Sequence, residues 1–346
     1  MAENANKPFV TVVMPVRNEA EHIKQCVRSV LESDYPTDRL EVLVVDGMSD
    51  DSTPEIVRRM AAEDDRLRLL ENPARVVPHA MNLGIRESCG EIVCRVDGHA
   101  TVAKDFITRG VRALREHPEA WCVGGAIETV STNFTGRAIS AAMSTPVGVG
   151  NARFRLGNYT GYVDTVAFGW YWRWVFDRIG MFDEELVCNE DDDFNQRLIE
   201  AGGKIWMDSR IRSSYYSRGS LRKLARQYAQ FGFWRIRTIQ KHGRPATLRQ
   251  IAPMVFVCLW IVLVVGTVFW WPLRYALAGY AALYGLGLLF GVLDVARKTG
   301  LRYALAAPLA VMAMHFGYGL GSLRGLVRFV ILRRGPPSPE THRLSR

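Results

Sequence analysis

FVTVVMPVRNEAEHIKQCVRSVLESDYPTDRLEVLVVDGMSDDST, Phe9 to Thr53, is the stretch whose reading decides the fold. Two short β-branched runs, Phe9 to Met14 and Glu41 to Val45, look like strands, with an amphipathic helical pattern between them. Arg66 to Leu70 and Glu91 to Val96 repeat the alternation. Strands that alternate with helices predict an α/β domain with a mostly parallel central sheet and helices on both faces. Ligands of such sheets collect beyond the carboxyl ends of the strands. Polar residues stand there three times: Pro15-Val16-Arg17-Asn18-Glu19, then Asp46-Gly47-Met48-Ser49-Asp50-Asp51-Ser52-Thr53, then Asp97-Gly98-His99. One such turn is an ordinary helix cap; three in succession at one edge mark a site. Neither a Walker A sequence nor a Gly-rich dinucleotide turn follows the first strand, so a phosphate must be held in another way.

Beyond this domain the composition changes. The 346 residues are 48% apolar and 23% charged, which excludes collagen-like, disordered and coiled-coil classes. The average hides a split: residues 1–208 carry 23 Lys+Arg against 33 Asp+Glu, and residues 209–346 carry 21 against 2. Three uncharged runs, Ile251 to Leu273, Tyr275 to Leu293 and Tyr303 to Leu323, have 23, 19 and 21 residues. Each is near the ~20 residues that a spanning helix needs. The expectation is a multi-pass membrane protein. No secretory signal is visible before Phe9, which places the first 200 residues in the cytosol. The six cysteines lack metal-ligand spacing and read as packing residues in a reducing compartment. Gly317, Gly321 and Gly325 fit small-residue helix packing in lipid.

Two groups of residues carry chemistry. Asp97 and His99 offer a carboxylate and an imidazole two residues apart, both able to reach one divalent ion in a tight turn. Glu190-Asp191-Asp192-Asp193 opens an amphipathic helical pattern, where acids favour the helix N-terminus but also repel one another. A cation or a proton-accepting role relieves or uses that repulsion. Trp170, Tyr171, Trp172 and Trp174 read mainly as core, with one of them lining the pocket.

These motifs, in this order and with Asn82-Leu83-Gly84-Ile85 and Gly180-Met181-Phe182-Asp183-Glu184 between them, resemble a family 2 glycosyltransferase with the GT-A fold over roughly residues 9 to 240. Within that family the chain is most similar to the succinoglycan-type membrane-bound glucosyltransferases. The resemblance implies a nucleotide-sugar pocket lined by Pro15, Arg17, Glu19, Asp46, Ser49, Asn82, Asp97 and Glu190, with Asp46 facing the base. It implies a Mg2+ or Mn2+ ion on Asp97, with His99 as a second ligand or a phosphate contact, and Asp191 as the general base of an inverting transfer.

Eleven Lys+Arg and no acids lie between Arg210 and Arg249, with Leu221, Leu224, Tyr228, Phe231 and Ile239 at helical spacing. Directly before a membrane span, this predicts an interfacial helix that attracts anionic headgroups, not a nucleic-acid patch. The domain expectation is therefore a cytosolic GT-A domain over 1–214, the basic helix region over 215–249, a transmembrane region over 250–332 and a polar tail over 333–346. A third crossing would export Arg324, Arg328, Arg333 and Arg334 against the positive-inside bias, so that segment is either re-entrant or tolerated on the wrong side. The expected activity moves a sugar, glucose at family level, from a UDP-sugar donor to a polyprenyl-linked glycan at the inner cell membrane. A polyprenyl-phosphate sugar synthase and a catalytically silent scaffold are the alternatives.

Overall fold

The computed structural model describes residues 7–217 and 219–337 and divides into two compact units. One contains the residues up to 128 and residues 153–216; the other contains residues 129–152 and those from 217 onward. The strands are β1 (Val10–Val16), β2 (Leu40–Asp46), β3 (Leu67–Glu71), β4 (Ile92–Arg95), β5 (Ala100–Val102), β6 (Ala120–Val130), β7 (Gly161–Val163), β8 (Ala167–Trp172) and β9 (Lys204–Tyr216). The helices are α1 (Ile23–Leu31), α2 (Thr53–Ala61), α3 (Val77–Glu87), α4 (Phe106–Glu116), α5 (Phe134–Met143), α6 (Pro146–Val149), α7 (Arg153–Leu156), α8 (Arg173–Ile179) and α9 (Glu190–Glu200). They continue with α10 (Leu221–His242), α11 (Ala252–Phe269), α12 (Leu273–Thr299), α13 (Leu301–Ala304) and α14 (Ala307–Gly325).

In the first unit the sheet order is β3-β2-β1-β4-β8-β6-β9-β5, with β7 on β9. β1 pairs parallel with β2 and β4, and β2 with β3. Every residue of β1 and β2 is buried, as a parallel sheet covered on both faces requires. The expectation of a mostly parallel sheet needs correction beyond β4. There β8 runs antiparallel to β4 and β6, and β9 antiparallel to β5 and β7, so the sheet is mixed. Much of β9 alternates buried and more exposed residues, which is the pattern of an antiparallel strand with one solvated face. Trp170 and Tyr171 are buried, Trp170 with its ring 5.1 Å from Phe106, while Trp174 is exposed. Cys26, Cys94 and Cys122 are buried, and all six cysteines are free.

The second unit contains three helical stretches long and apolar enough to cross a membrane: Ala252–Phe269, Leu273–Thr299 and Leu301–Ile331. The short helices α5 and α6, which the sequence reading leaves in the N-terminal domain, belong to this unit. The His315 ring donates to the Val147 carbonyl at 2.9 Å, and Arg137 to the Tyr303 hydroxyl at 3.1 Å. Asn133 caps α5 by accepting from Gly136 N at 2.7 Å.

The glycine stripe of α14 packs against α10. A Cβ on Gly317, Gly321 or Gly325 would stand 2.6, 2.0 or 2.5 Å from the carbonyl oxygens of Ala225, Ala229 and Phe233. Backbone against backbone leaves no room for a methyl group. Gly321→Ala should therefore part the two helices and lower the thermal unfolding temperature by several degrees, an overpacking cost of ~1–3 kcal/mol. Gly279→Ala in α12, where a Cβ meets nothing within 4 Å, should leave that temperature unchanged or raise it.

Candidate active site

The first three polar turns meet at the carboxyl ends of β1, β2 and β4. After β1, Asn18 takes a left-handed backbone (φ 55), and after β2 so does Met48 (φ 56). Non-glycine residues hold such angles only where surrounding bonds require them, and those bonds are present. Asn18 N donates to Ser49 Oγ at 2.8 Å, and Asp50 N to Asn18 Oδ1 at 2.8 Å. The Ser49 amide donates to Asp46 Oδ2 at 3.0 Å, and its hydroxyl donates to Asp46 Oδ1. Asp46 is buried, so its carboxylate is fixed at the floor of this turn. Arg17 stands 3.8 Å from Asp50 above it, and Pro15 is buried within β1.

Glu19 and His99 form a second pair. Glu19 is buried, its amide donates to Thr53 Oγ1 at 2.8 Å, and its Oε1 lies 2.9 Å from His99 Nδ1. Gly98 permits this approach, because a Cβ there would stand 2.7 Å from Val16 Cγ1 and 3.2 Å from Glu19 Cγ. β5 follows directly and pairs with β9, and the Tyr215 ring meets the His99 ring edge-on at 4.6 Å.

Arg95, which the sequence reading passed over as a strand residue, links the remaining acids. Its Nε donates to Asp97 Oδ1 at 2.9 Å, and its Nη1 to Glu190 Oε1 at 2.8 Å. The Arg95 and Asp97 side chains are each 16% exposed and that of Glu190 7%, so these pairs are shielded from water. A signal was available in the sequence: a lone arginine inside an apolar strand has to find a carboxylate.

Asp191 is the next residue on α9. Asn189, at φ 65, turns the chain into that helix. The Asp191 carboxylate accepts from the amide of Asp192 at 2.8 Å. Burial pushes its pKa up to about 7, and the neighbouring charges of Asp192 and Glu190 add to the rise while Arg95 and the Asp192 amide oppose it. Burial also raises Glu190, against the pull of Arg95. A carboxylate near neutrality with a fixed cation beside it is suited to accept a proton. Asp97 and Asp191, far apart in sequence, thus share the environment of one guanidinium.

Asn82, which the resemblance places in the nucleotide pocket, bonds to the segment that leads into α9. It is buried, its Nδ2 donates to the Phe182 carbonyl and to Glu184 Oε1, both at 2.9 Å, and its Oδ1 accepts from Phe182 N at 2.9 Å. Arg197 grips the same segment, donating to the carbonyls of Ile179 and Met181 at 2.8 Å while paired with Asp193 at 2.9 Å. Both residues hold the 179–184 segment that leads into α9.

No three His, Cys, Asp or Glu side chains converge on a metal-sized site among the described residues. Asp97 and His99 would supply one carboxylate and one imidazole. That set suits an ion that takes its other ligands from substrate phosphates, the usual mode of Mg2+. The oxygen of Asp97 bonded to Arg95 would have to be shared.

Three comparisons bear on this geometry. Residues 11–180 match the family described as "Glycosyl transferase family 2". The chain is 30% identical over 323 residues to the Succinoglycan biosynthesis protein ExoA of Rhizobium meliloti, covering 92% of this chain and 95% of that protein. It is 24% identical to the dolichyl N-acetyl-alpha-D-glucosaminyl phosphate 3-beta-D-2,3-diacetamido-2,3-dideoxy-beta-D-glucuronosyltransferase of Methanococcus voltae, covering 92% and 98%. The mannosyltransferase PcManGT of Pyrobaculum calidifontis, solved with GDP-Man and Mn2+, superposes with a TM-score of 0.58 at 22% identity, covering 93% of this chain and 88% of that one. That likeness is one of fold, the GT-A arrangement of a mixed sheet with a polar edge.

Proposed function

The chain belongs to glycosyltransferase family 2, and on that premise we propose that it moves glucose from a UDP-sugar to a lipid-linked glycan, with inversion at the anomeric carbon. The observation that carries this reading is the Arg95-centred cluster with Asp191 at about pKa 7 beside it. The acceptor hydroxyl attacks the anomeric carbon opposite the diphosphate. The new C–O bond forms as the bond to the diphosphate oxygen breaks, and the hydroxyl proton passes to Asp191. The nucleoside diphosphate leaves with the electron pair, and no covalent enzyme intermediate is needed.

In this reading Asp46 faces the base, Arg17, Glu19, Pro15 and Ser49 line the nucleotide pocket, and Arg95 keeps Asp97 and Glu190 in register for the donor. Asn82 acts indirectly by holding the 179–184 segment. A Mg2+ or Mn2+ ion bound through Asp97, with His99 beside it, would neutralise charge growing on the departing diphosphate. The catalytic unit lies in the cytosol at the inner cell membrane. The R. meliloti relative's part in succinoglycan biosynthesis and the M. voltae relative's dolichyl-linked substrate support a lipid-linked acceptor.

The test is incubation of the purified protein with UDP- and GDP-sugars and extracted lipid-linked oligosaccharides, with and without Mn2+, followed by mass spectrometry of the lipids. A gain of one hexose on a lipid-linked glycan, dependent on UDP-glucose and lost in Asp97→Ala, is expected. A sugar found directly on a polyprenyl phosphate, or no product from any donor, would reject this reading in favour of a lipid-phosphate synthase or a silent scaffold.

A further inference from the structure

The second unit contains a cavity of about 420 Å3 between α10 and the end of the third apolar helix. Phe233, Leu323, Val327 and Leu332 line it together with Arg324, Arg328 and Arg334, and the wall is almost wholly apolar, so the arginines give it mainly their carbon stems while Arg324 and Arg334 stay exposed. No ion pair among the described residues engages these three arginines, and the sequence has no acid between Asp294 and Glu340. The cavity is built. After α14 the helix widens into a π-turn over Leu326–Ile331, and Arg333 then turns the chain through a left-handed backbone (φ 49). The Arg334 amide donates to the Arg328 carbonyl at 2.9 Å, and Arg328 Nε to the Gly335 carbonyl at 2.9 Å. Arginine stems that wall an apolar cavity leave three like charges around its rim, a setting that suits an anion carrying a hydrocarbon body.

Its depth in the bilayer follows from α10. That helix carries Arg222, Lys223, Arg226, Arg235, Arg237 and Lys241, and its longest uncharged run, Gln227 to Trp234, is far below the ~20 residues of a span. It therefore lies in the interface. The contacts of Ala225, Ala229 and Phe233 with Gly317, Gly321 and Gly325 advance together along both helices. They continue where Gln240 Nε2 donates to the Phe329 carbonyl at 3.2 Å. Helices joined backbone to backbone in this way share one depth. Consistently, 39% of an 18-residue apolar portion of the third stretch is buried against other residues, against 6% for the corresponding portion of each of the first two. A third segment at that depth would be re-entrant, with its arginines on the side of α10.

We propose that this cavity binds the phosphate of an anionic lipid, a phospholipid or a polyprenyl phosphate, drawn from the leaflet in which α10 lies. The proposal stands independently of the donor and acceptor assigned above.

Full-length protein in nanodiscs of phosphatidylcholine doped with phosphatidylglycerol or with polyprenyl phosphate, read by native mass spectrometry, tests it. Retention of one of the two anionic lipids should fall about fivefold for each of Arg324→Gln, Arg328→Gln and Arg334→Gln, the factor a basic residue gains near an anionic surface. Val327→Trp, which fills the cavity and keeps every charge, should abolish retention. The lipid that is lost names the source. Unchanged retention in Val327→Trp would overturn the proposal, since charge alone would then explain binding. A reporter fused after Arg346 should be active on the side of the catalytic domain; activity on the opposite side would equally overturn it.

Discussion

Arg95→Ala is expected to be the most damaging single change in the catalytic unit. It removes the guanidinium that Asp97 and Glu190 share in a site shielded from water, with the charge of Asp191 close by. Removing one partner of a buried ion pair costs ~3–5 kcal/mol, because the stranded charge keeps its desolvation penalty. Here one guanidinium serves two carboxylates. Against a total stability of roughly 5–15 kcal/mol, that loss should lower the thermal unfolding temperature by on the order of 10 °C and abolish transfer. The sign with pH is fixed by the carboxylates. Without Arg95 their folded pKa values rise, so the damage is greatest at alkaline pH and shrinks as pH falls and they protonate. Calorimetry of wild type and variant between pH 5 and pH 8 measures this. Arg95→Ala with Glu190→Gln should recover part of the stability and none of the activity. A variant as stable as wild type at pH 8 would show that the two ion pairs contribute nothing.

The parallel half of the site is legible in the sequence because its strands are continuous apolar runs that end abruptly in polar turns. Val10–Val16, Leu40–Asp46 and Ile92–Arg95 lie within a residue or two of where the runs place them. The antiparallel half is not. β6 and β9 mix glycine, serine and arginine with apolar residues, and nothing local tells such a strand from a loop until its partners are known. Arg95 was hidden for the opposite reason: it sits inside an apolar run, and its partner Glu190 is 95 residues away. Asn82 lies among the motif residues, yet its amide groups bond to Phe182 and Glu184, a hundred residues on. The helices between Asn133 and Val149 have no composition that ties them to membrane segments. Their attachment rests on contacts such as His315 with Val147, which only the folded chain brings together.

Asp191→Asn separates the chemical role of the acid cluster from its structural cost. If Asp191 removes the acceptor proton, the amide should reduce transfer by ~10²- to 10⁴-fold, the usual worth of a positioned base. Binding of the nucleoside diphosphate should survive, since the turns around Asp46 and Glu19 are untouched. The wild-type rate at saturating substrate should climb about tenfold per pH unit up to about pH 7 and then level, because only ionised Asp191 accepts a proton. In Asp191→Asn the residual rate should be flat across that range. Stability should move the other way. A carboxyl raised from 3.8 to about 7 in the folded state stabilises the protein below pH ~4, and that contribution is lost as pH rises through about 7. The variant should therefore match wild type near pH 4 and exceed it above pH 7 by on the order of 2–4 kcal/mol. Rate profiles and thermal unfolding on the same preparations read both quantities. A variant that keeps more than about a tenth of wild-type transfer would show that no acceptor proton passes to Asp191, and would favour an acceptor that is already an anion, as a lipid phosphate is. Loss of rate without gain in stability would mean that Asp191 is not held at the raised pKa that makes it a base at neutral pH.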